Sequence, residues 1–174
     1  MLKQIKYNSL ISQLKNKIFN YALYMVNDRM DAEDITQDVF IKLWNNFEKI
    51  NLIKAKPWLL KTTHNLCIDY LRKRKNKMNT SEGIEENTIS IDNNFLNDPE
   101  ISYRRNMMKK RINNSIKELP NKLKSVFVLY EIEGFKYREI SETLNIPINS
   151  IKVYLLRARK KLQEDLREFR YENE

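Results

Sequence analysis

The stretch that decides the fold is FKYREISETLNIPINSIKVYLLRARKKL, residues 135–162. Tyr137, Ile140 and Leu144 follow helical spacing and predict a short first helix. A longer second helix is predicted by apolar residues that recur every three or four positions. These are Ile148, Ile151, Leu155, Ala158 and Leu162. Asn145 tolerates the left-handed backbone that ends a helix, and Pro147 suits the start of the next one. The pattern predicts a helix-turn-helix, whose second helix lies in the major groove of DNA.

The outer face of that second helix combines polar residues and cations with two apolar residues. It carries Asn149, Lys152, Val153, Leu156 and Lys160, flanked by Ser150 and Arg157. Cations neutralise phosphates, and an Asn side chain can pair with a base edge. Val153 and Leu156 stand where water is expected, and either a thymine methyl group or a partner surface would explain them. A solvated basic helix in an ordinary bundle is the alternative interpretation.

Composition favours an all-α, folded protein. The 174 residues include two Gly and four Pro, too few for many β-turns, and strict alternation of apolar residues is rare. The single cysteine, Cys67, excludes an internal disulfide and fits a reducing cytoplasm. The sequence has no apolar run long enough to span a membrane. It also lacks a Cys/His cluster, a Gly-rich phosphate loop and a nucleophile elbow, so we expect no cofactor, no metal and no catalytic residue.

Charge is distributed in three blocks. Residues 1–78 carry a net charge of +8, residues 79–103 a net charge of −6, and residues 104–174 a net charge of +7. Two basic blocks that flank an acidic connector indicate a polyanion contacted at two places. Anionic lipid fits less well, because neither basic block has a strongly apolar face left over.

The first block predicts three helices. The first runs from about Tyr7 to Met25, and the second from an N-cap at Asp31 to about Asn45. The outer N-terminal side of the second helix gathers Asp31, Asp34, Gln37 and Asp38. These carboxylates compensate the helix dipole, and they also form a docking site for a basic partner.

After an apolar loop over Phe47–Lys56, Pro57 begins the third helix, which ends in a basic run near Lys77. A solvated cationic tail explains that run. The Trp, His and Asn that precede it also permit stacking on unpaired bases and hydrogen bonding to them. Residues 79–98 lack periodicity and are predicted to be a flexible linker. A helix from Pro99 to about Leu119 and another that ends near Gly134 then lead to the helix-turn-helix.

In their order along the chain, four motifs resemble the sigma-70 family in its short extracytoplasmic-function form. They are DAEDITQDVFIKLW (Asp31–Trp44), PWLLKTTHNLCIDYLRKRK (Pro57–Lys75), IKELPNKLKSVFVLYEIEGFKYREISETLNIP (Ile116–Pro147) and NSIKVYLLRARKKL (Asn149–Leu162). The resemblance implies a factor without chemistry of its own that binds core RNA polymerase and directs it to promoters. It also implies two helical domains, called region two (a three-helix core) and region four (the helix-turn-helix).

The resemblance assigns roles to residues of this chain. It implies that Asp34, Gln37 and Asp38 contact the coiled coil of the largest polymerase subunit. It implies that the minus-ten promoter element is bound by Asn51, Leu52, Lys61, His64, Asn65 and Arg72. It implies that the minus-thirty-five element is bound by Asn149, Ser150, Lys152, Val153 and Arg157. Tyr154 departs from the family pattern, because an Arg is common there.

We therefore expect region two over 1–78, a linker over 79–98 and region four over 99–174. The partners are core polymerase and promoter DNA, and an anti-sigma factor, common in the family, joins them as a candidate. The alternative is a stand-alone helix-turn-helix regulator that binds duplex DNA without polymerase. A DNA recombinase is disfavoured, because Arg29 is the only Arg before the basic run and no nucleophile lies among arginines.

Overall fold

A computed structural model describes residues 2–78 and 99–171, and the described residues are helical with short connections. Seven α-helices follow in order: α1 (Leu2–Val26), α2 (Arg29–Asn46), α3 (Ala55–Met78), α4 (Pro99–Lys117), α5 (Asn121–Phe127), α6 (Tyr137–Leu144) and α7 (Ile148–Tyr171). A 3₁₀ turn at Leu52–Lys54 precedes α3, and a π-helical turn at Val128–Ile132 extends α5. The all-α prediction is confirmed, and the predicted linker over 79–98 lies outside the described residues.

The start of α2 corrects the predicted cap. Asp28 has extended backbone (φ −141°) and its carboxylate accepts the N–H of Asp31 at 3.0 Å, so Asp28 rather than Asp31 is the N-cap. Asn27 just before it has a left-handed backbone (φ 58°), and its N–H bonds to the carbonyl of Leu23 to end α1. The two residues together turn the chain between antiparallel helices.

The loop before α3 is shorter than the sequence predicts. Helix α3 begins at Ala55, two residues before Pro57, and the 3₁₀ turn occupies most of the expected loop. Pro57 is compatible with this because the first turn of a helix needs no N–H from its residues.

The helix-turn-helix forms as predicted. Asn145 adopts left-handed backbone (φ 54°, ψ 47°) and its N–H bonds to the carbonyl of Ser141. The hydroxyl of Ser141 then donates to the carbonyl of Ile146 at 2.7 Å, which closes the turn before α7. Gly134 has a φ of 72°, as expected of a residue that ends a helix.

The apolar residues form one continuous core that crosses from one half of the chain to the other. Helices α1–α3 pack on one another, α5–α7 do the same, and α3 also packs against α6 while α1 packs against α5. We call this contact between the two halves the seam. Phe135, only 2% exposed, lies in it between Lys17 and Lys56, whose ammonium nitrogens are 5.2 Å and 4.5 Å from the ring centroid.

Two polar contacts join the halves beside Phe135. The Lys56 ammonium donates to Glu139 at 2.6 Å, and the Tyr24 hydroxyl donates to Asn113 at 3.2 Å. The ammonium of Lys17 also donates to the carbonyl of Glu133. Because these partners are separated by 83 to 116 residues, no local pattern in the sequence predicts them.

Candidate nucleic-acid interface

The outer face of α2 presents the predicted acidic patch to solvent. Asp34, Gln37 and Asp38 are exposed, and Ile41, 55% exposed, continues the same stripe one turn further. Inward, Ile35, Val39 and Leu43 are buried in the core of the first half. The patch therefore combines two carboxylates and an amide with an exposed apolar side chain, as protein-binding surfaces often do.

Asp31 does not belong to this patch. It is half-buried, and its carboxylate accepts a hydrogen bond from the Tyr70 hydroxyl of α3. Burial and the hydrogen bond to Asp31 raise the pKa of Tyr70 to about 12. Arg74, one turn later, donates to the carbonyl of Val26 at 3.3 Å. These contacts fix the direction of α3, and the sequence analysis missed them because both pairs lie far apart in the chain.

Three predicted minus-ten residues share one exposed stripe of α3. Lys61, Asn65 and Arg72 are spaced by four and seven residues and all face solvent. Arg72 pairs with Asp69 on its own helix at 3.6 Å, with both side chains more than half exposed. An exposed ion pair of this kind is weak, so Arg72 can exchange it for a phosphate at little cost.

Of the two predicted loop residues, Asn51 is held in a turn. Its side-chain oxygen accepts the N–H of Ile53 at 3.0 Å, and its carbonyl accepts the N–H of Lys54 at 2.8 Å. Its amide nitrogen is the part of the side chain that points a donor outward. Leu52 lies in the 3₁₀ turn, and its side chain is outside the described set.

His64 lies apart from the exposed stripe. It lines a crevice of about 330 Å³ at the seam, together with Ser125 of α5 and Ile146 and Tyr154 beside α6 and on α7. Its Nδ1 is hydrogen-bonded to the Tyr21 hydroxyl at 2.7 Å, and burial lowers the pKa of the imidazole. The structure thus separates His64 from Lys61, Asn65 and Arg72, although all four are on one helix.

The outer face of α7 is open to solvent along its first three turns. Asn149, Lys152 and Arg157 are exposed, Val153 is 43% exposed, and Ser150 is half-buried. The opposite face carries Ile151, Leu155, Ala158 and Leu162, which are buried in the core. Tyr154 turns away from the outer face and lines the crevice beside His64.

Helix α6 is tied to both its neighbours. The carboxylate of Glu139 accepts the N–H of Lys136 at 2.8 Å and the ammonium of Lys56 across the seam. Burial alone would raise the pKa of Glu139, but Lys56 and the Lys136 N–H hold it below its usual value. On the other side, Arg159 of α7 donates to Glu131 at 2.7 Å.

Within the described ranges, His, Cys, Asp and Glu side chains form no cluster of three that could hold a metal ion. Cys67 is buried, and burial raises the pKa of its thiol to about 12, so the thiol stays protonated. None of the described helices combines the length and apolarity needed to cross a lipid bilayer.

Two family models match the chain. Sigma-70 region 2 matches residues 10–77, and Sigma-70, region 4 matches residues 109–162. The first match covers α2 and nearly all of α1 and α3, and the second runs from the middle of α4 into α7. Together they include every helix on which a site residue was predicted.

Curated relatives match over nearly their whole length. ECF RNA polymerase sigma factor SigM of Bacillus subtilis is 28% identical over 148 residues, covering 85% of this chain and 87% of the relative. ECF RNA polymerase sigma factor SigW of the same organism is 29% identical and covers 96% and 95%.

Solved structures share the fold. The sigma factor RpoE from Bartonella quintana, in complex with the anti-sigma factor NepR, superposes with a TM-score of 0.76 at 20% identity, covering 92% of this chain and 96% of that one. CnrH, in complex with the cytosolic domain of CnrY, gives a TM-score of 0.67 at 17% identity, covering 93% and 88%.

Proposed function

The chain belongs to the sigma-70 family, in its extracytoplasmic-function group, and we propose that three helices divide the work of a promoter-specific initiation factor. As a sigma factor, it directs core RNA polymerase to promoters. Helix α2 docks on polymerase, α3 binds the minus-ten element and its unpaired strand, and α7 reads the minus-thirty-five element. The domain limits at 1–78, 79–98 and 99–174 are part of the same proposal.

Docking uses the acidic patch of α2. Asp34, Gln37 and Asp38 project from a helix whose opposite face is fixed in the core, so the patch is preorganised and needs no refolding to bind. A basic partner surface gains from both carboxylates, and Ile41 adds apolar area. The coiled coil of the largest polymerase subunit is the partner we assign to it.

The stripe of Lys61, Asn65 and Arg72 binds the minus-ten region. Lys61 and Arg72 contact phosphates, and Asn65 offers both a donor and an acceptor to an unpaired base. Asn51 and Leu52 stand at the entrance to α3 and are assigned to a flipped base. His64 lines the crevice in the seam, so its contact with DNA requires the two halves to move apart.

The exposed face of α7 reads duplex DNA. Lys152 and Arg157 supply positive charge, while Asn149, Ser150 and Val153 lie near the helix start, the part that meets base edges in helix-turn-helix proteins. This acid-free, solvent-facing stretch on a helix-turn-helix is the observation that carries the proposal.

Mechanistically, the protein contributes binding energy while polymerase makes the RNA. Because α3 binds unpaired bases, its interaction stabilises the melted strand over the duplex and shifts the promoter towards opening. Two modest readers held on one polymerase act at a high effective concentration, so together they bind far more tightly than either alone. We place this activity in the cytoplasm, where polymerase works.

An anti-sigma factor is a further proposed partner. RpoE and CnrH, with which this chain shares its fold, were each solved in complex with another protein, the anti-sigma factor NepR and the cytosolic domain of CnrY. A protein that covers the basic faces of α3 and α7 would compete directly with promoter DNA.

The docking assignment is tested by Asp34→Lys combined with Asp38→Lys. We expect this variant to lose co-purification with core polymerase while keeping its helical circular dichroism, since both side chains face solvent. The matched control is Glu48→Lys with Asp69→Lys, which makes the same change of charge at exposed positions outside the patch. Wild-type recovery of core enzyme by the Asp34/Asp38 variant would refute the assignment.

The stand-alone regulator is separated from the sigma factor by a gel shift. The isolated chain and the reconstituted holoenzyme are each incubated with the same promoter duplex, at fixed salt. Specific binding that appears only with polymerase supports the proposed function. Tight, specific binding by the isolated chain supports the regulator instead.

A further inference from the structure

Leu156 is the most exposed large apolar side chain of α7, at 68%, and it has no part in the core. Val153, one turn earlier, is 43% exposed on the same face. Both positions tolerate polar residues structurally, because neither contributes to the buried stripe of Ile151, Leu155 and Ala158. A folding argument therefore does not account for a leucine here.

The spacing of the outer face matches the way a helix reads the major groove. Asn149, Lys152, Val153 and Leu156 stand at i, i+3, i+4 and i+7. Homeodomain recognition helices contact bases with side chains at this same spacing. Leu156 thus completes a four-residue reading stripe of which the other three members are already assigned to the minus-thirty-five element.

The charge around Leu156 favours DNA over a protein partner. Residues 148–160 contain Lys152, Arg157, Arg159 and Lys160 and no carboxylate. Arg159 is engaged by Glu131 on another side of the helix, but Lys152 and Arg157 flank Leu156 and are exposed. An apolar side chain framed by cations suits a surface with an apolar spot inside a field of negative charge.

Base-pair edges in the major groove offer one apolar group, the C5 methyl of thymine. We propose that Leu156, with Val153 beside it, recognises thymine methyl groups in the upstream promoter element. Three helical residues advance about 4.5 Å, and base pairs are stacked about 3.4 Å apart, so the two side chains reach the same or adjacent base pairs. This inference rests on the proposed function and adds to it the class of base that α7 selects.

The test uses holoenzyme reconstituted from the full chain and core polymerase. A duplex library randomised over the upstream element yields the selected sequence. Each thymine of that sequence, on either strand, is then replaced in turn by deoxyuridine, which lacks only the methyl group. The ratio of the dissociation constants for deoxyuridine and thymine duplexes is measured by competition for wild type, Leu156→Ala and Lys152→Ala.

For wild type we expect replacement at one position, or at two adjacent ones, to weaken binding about fourfold, the value of one buried methyl group. In Leu156→Ala the ratio at that position should fall towards one, and the variant should fold normally because Ala suits an exposed helical site. In Lys152→Ala both duplexes should weaken together and the ratio should persist.

Three results overturn the inference. They are a wild-type ratio near one at every thymine, an unchanged ratio in Leu156→Ala, or a loss of core-polymerase binding by Leu156→Ala with the ratio intact, which would make Leu156 a protein contact. Each of these leaves the sigma function standing. Selection of no sequence beyond what core polymerase alone selects would instead refute the proposed function, and the inference with it.

Discussion

His64 is the single histidine of the chain, and its place in the seam makes it a sensor of the closed arrangement. Burial lowers its pKa from 6.5, so between the two values the unfolded chain binds more protons than the folded one. The stability that neutral His64 allows is complete above about pH 6.5 and is lost as pH falls below it. Lys122, which lines the same crevice, would also repel the charged ring.

We therefore predict that His64→Asn, whose side chain can keep a hydrogen bond with Tyr21, flattens this part of the pH profile. The free energy of unfolding of both proteins is measured in urea from pH 5 to pH 8. The difference between them should change across the histidine range, with wild type losing more stability on acidification. Parallel profiles would show that the imidazole does not titrate differently on folding.

Asn145 is the residue on which the angle between α6 and α7 depends. Its left-handed backbone (φ 54°) is strained for most side chains, and Asn and Gly tolerate it best. We predict that Asn145→Ala lowers the free energy of unfolding by about 1 kcal/mol, while Asn145→Gly changes it little. Urea unfolding of the two variants decides the matter, and an equal loss in both would point to the lost amide rather than to backbone strain.

At the scale of elements, α3 is oriented by its polar anchors as much as by its apolar stripe. The hydroxyl of Tyr70 donates to Asp31, which the sequence analysis had made the cap of α2. The cap is instead Asp28, and this leaves Asp31 available to α3. Two helices are joined because one carboxylate was released from a local role.

Tyr70→Phe tests this anchor. It removes the hydroxyl and leaves the ring, so we predict a loss of about 1–3 kcal/mol, the usual value of a hydrogen bond to a charged group. The same change at Tyr137, whose ring stacks on Tyr130 at 4.6 Å, serves as a control for removal of a hydroxyl. Equal effects of the two substitutions would contradict a special role for Asp31.

At the scale of the whole molecule, the seam sets how far apart the two DNA-binding faces stand. Phe135 and the Lys56–Glu139 pair hold α6 against the first half, and the exposed stripes of α3 and α7 remain on the outside. Only His64 and Tyr154 are withdrawn into the crevice. The closed arrangement therefore leaves most of the predicted reading surface accessible.

We predict that Lys56 and Glu139 couple weakly, by about 1 kcal/mol or less, because both side chains keep some exposure. A double-mutant cycle with Lys56→Met and Glu139→Gln measures the coupling in urea. The seam variants should also raise the radius of gyration in small-angle scattering. Lys3 and Glu48, paired at 3.1 Å within the first half, provide the control cycle, which should leave that radius unchanged.

The sequence by itself determined the helices, the buried stripes and the helix-turn-helix. Apolar spacing, Asn145 and Gly134 act over a few residues, so their consequences can be read locally. The family followed from four such motifs in order. Helix ends were less exact, as at Ala55 and Asp28, because several neighbouring residues can end or begin a helix at similar free energy.

Only the tertiary structure decided which of the predicted side chains share a surface. It left Lys61, Asn65 and Arg72 in solvent and placed His64 and Tyr154 against each other across the seam. Helical periodicity predicts which side of a helix is polar, but not which polar residue meets another helix. That choice depends on contacts such as Lys56 with Glu139, 83 residues apart, which exist only once the two halves have packed.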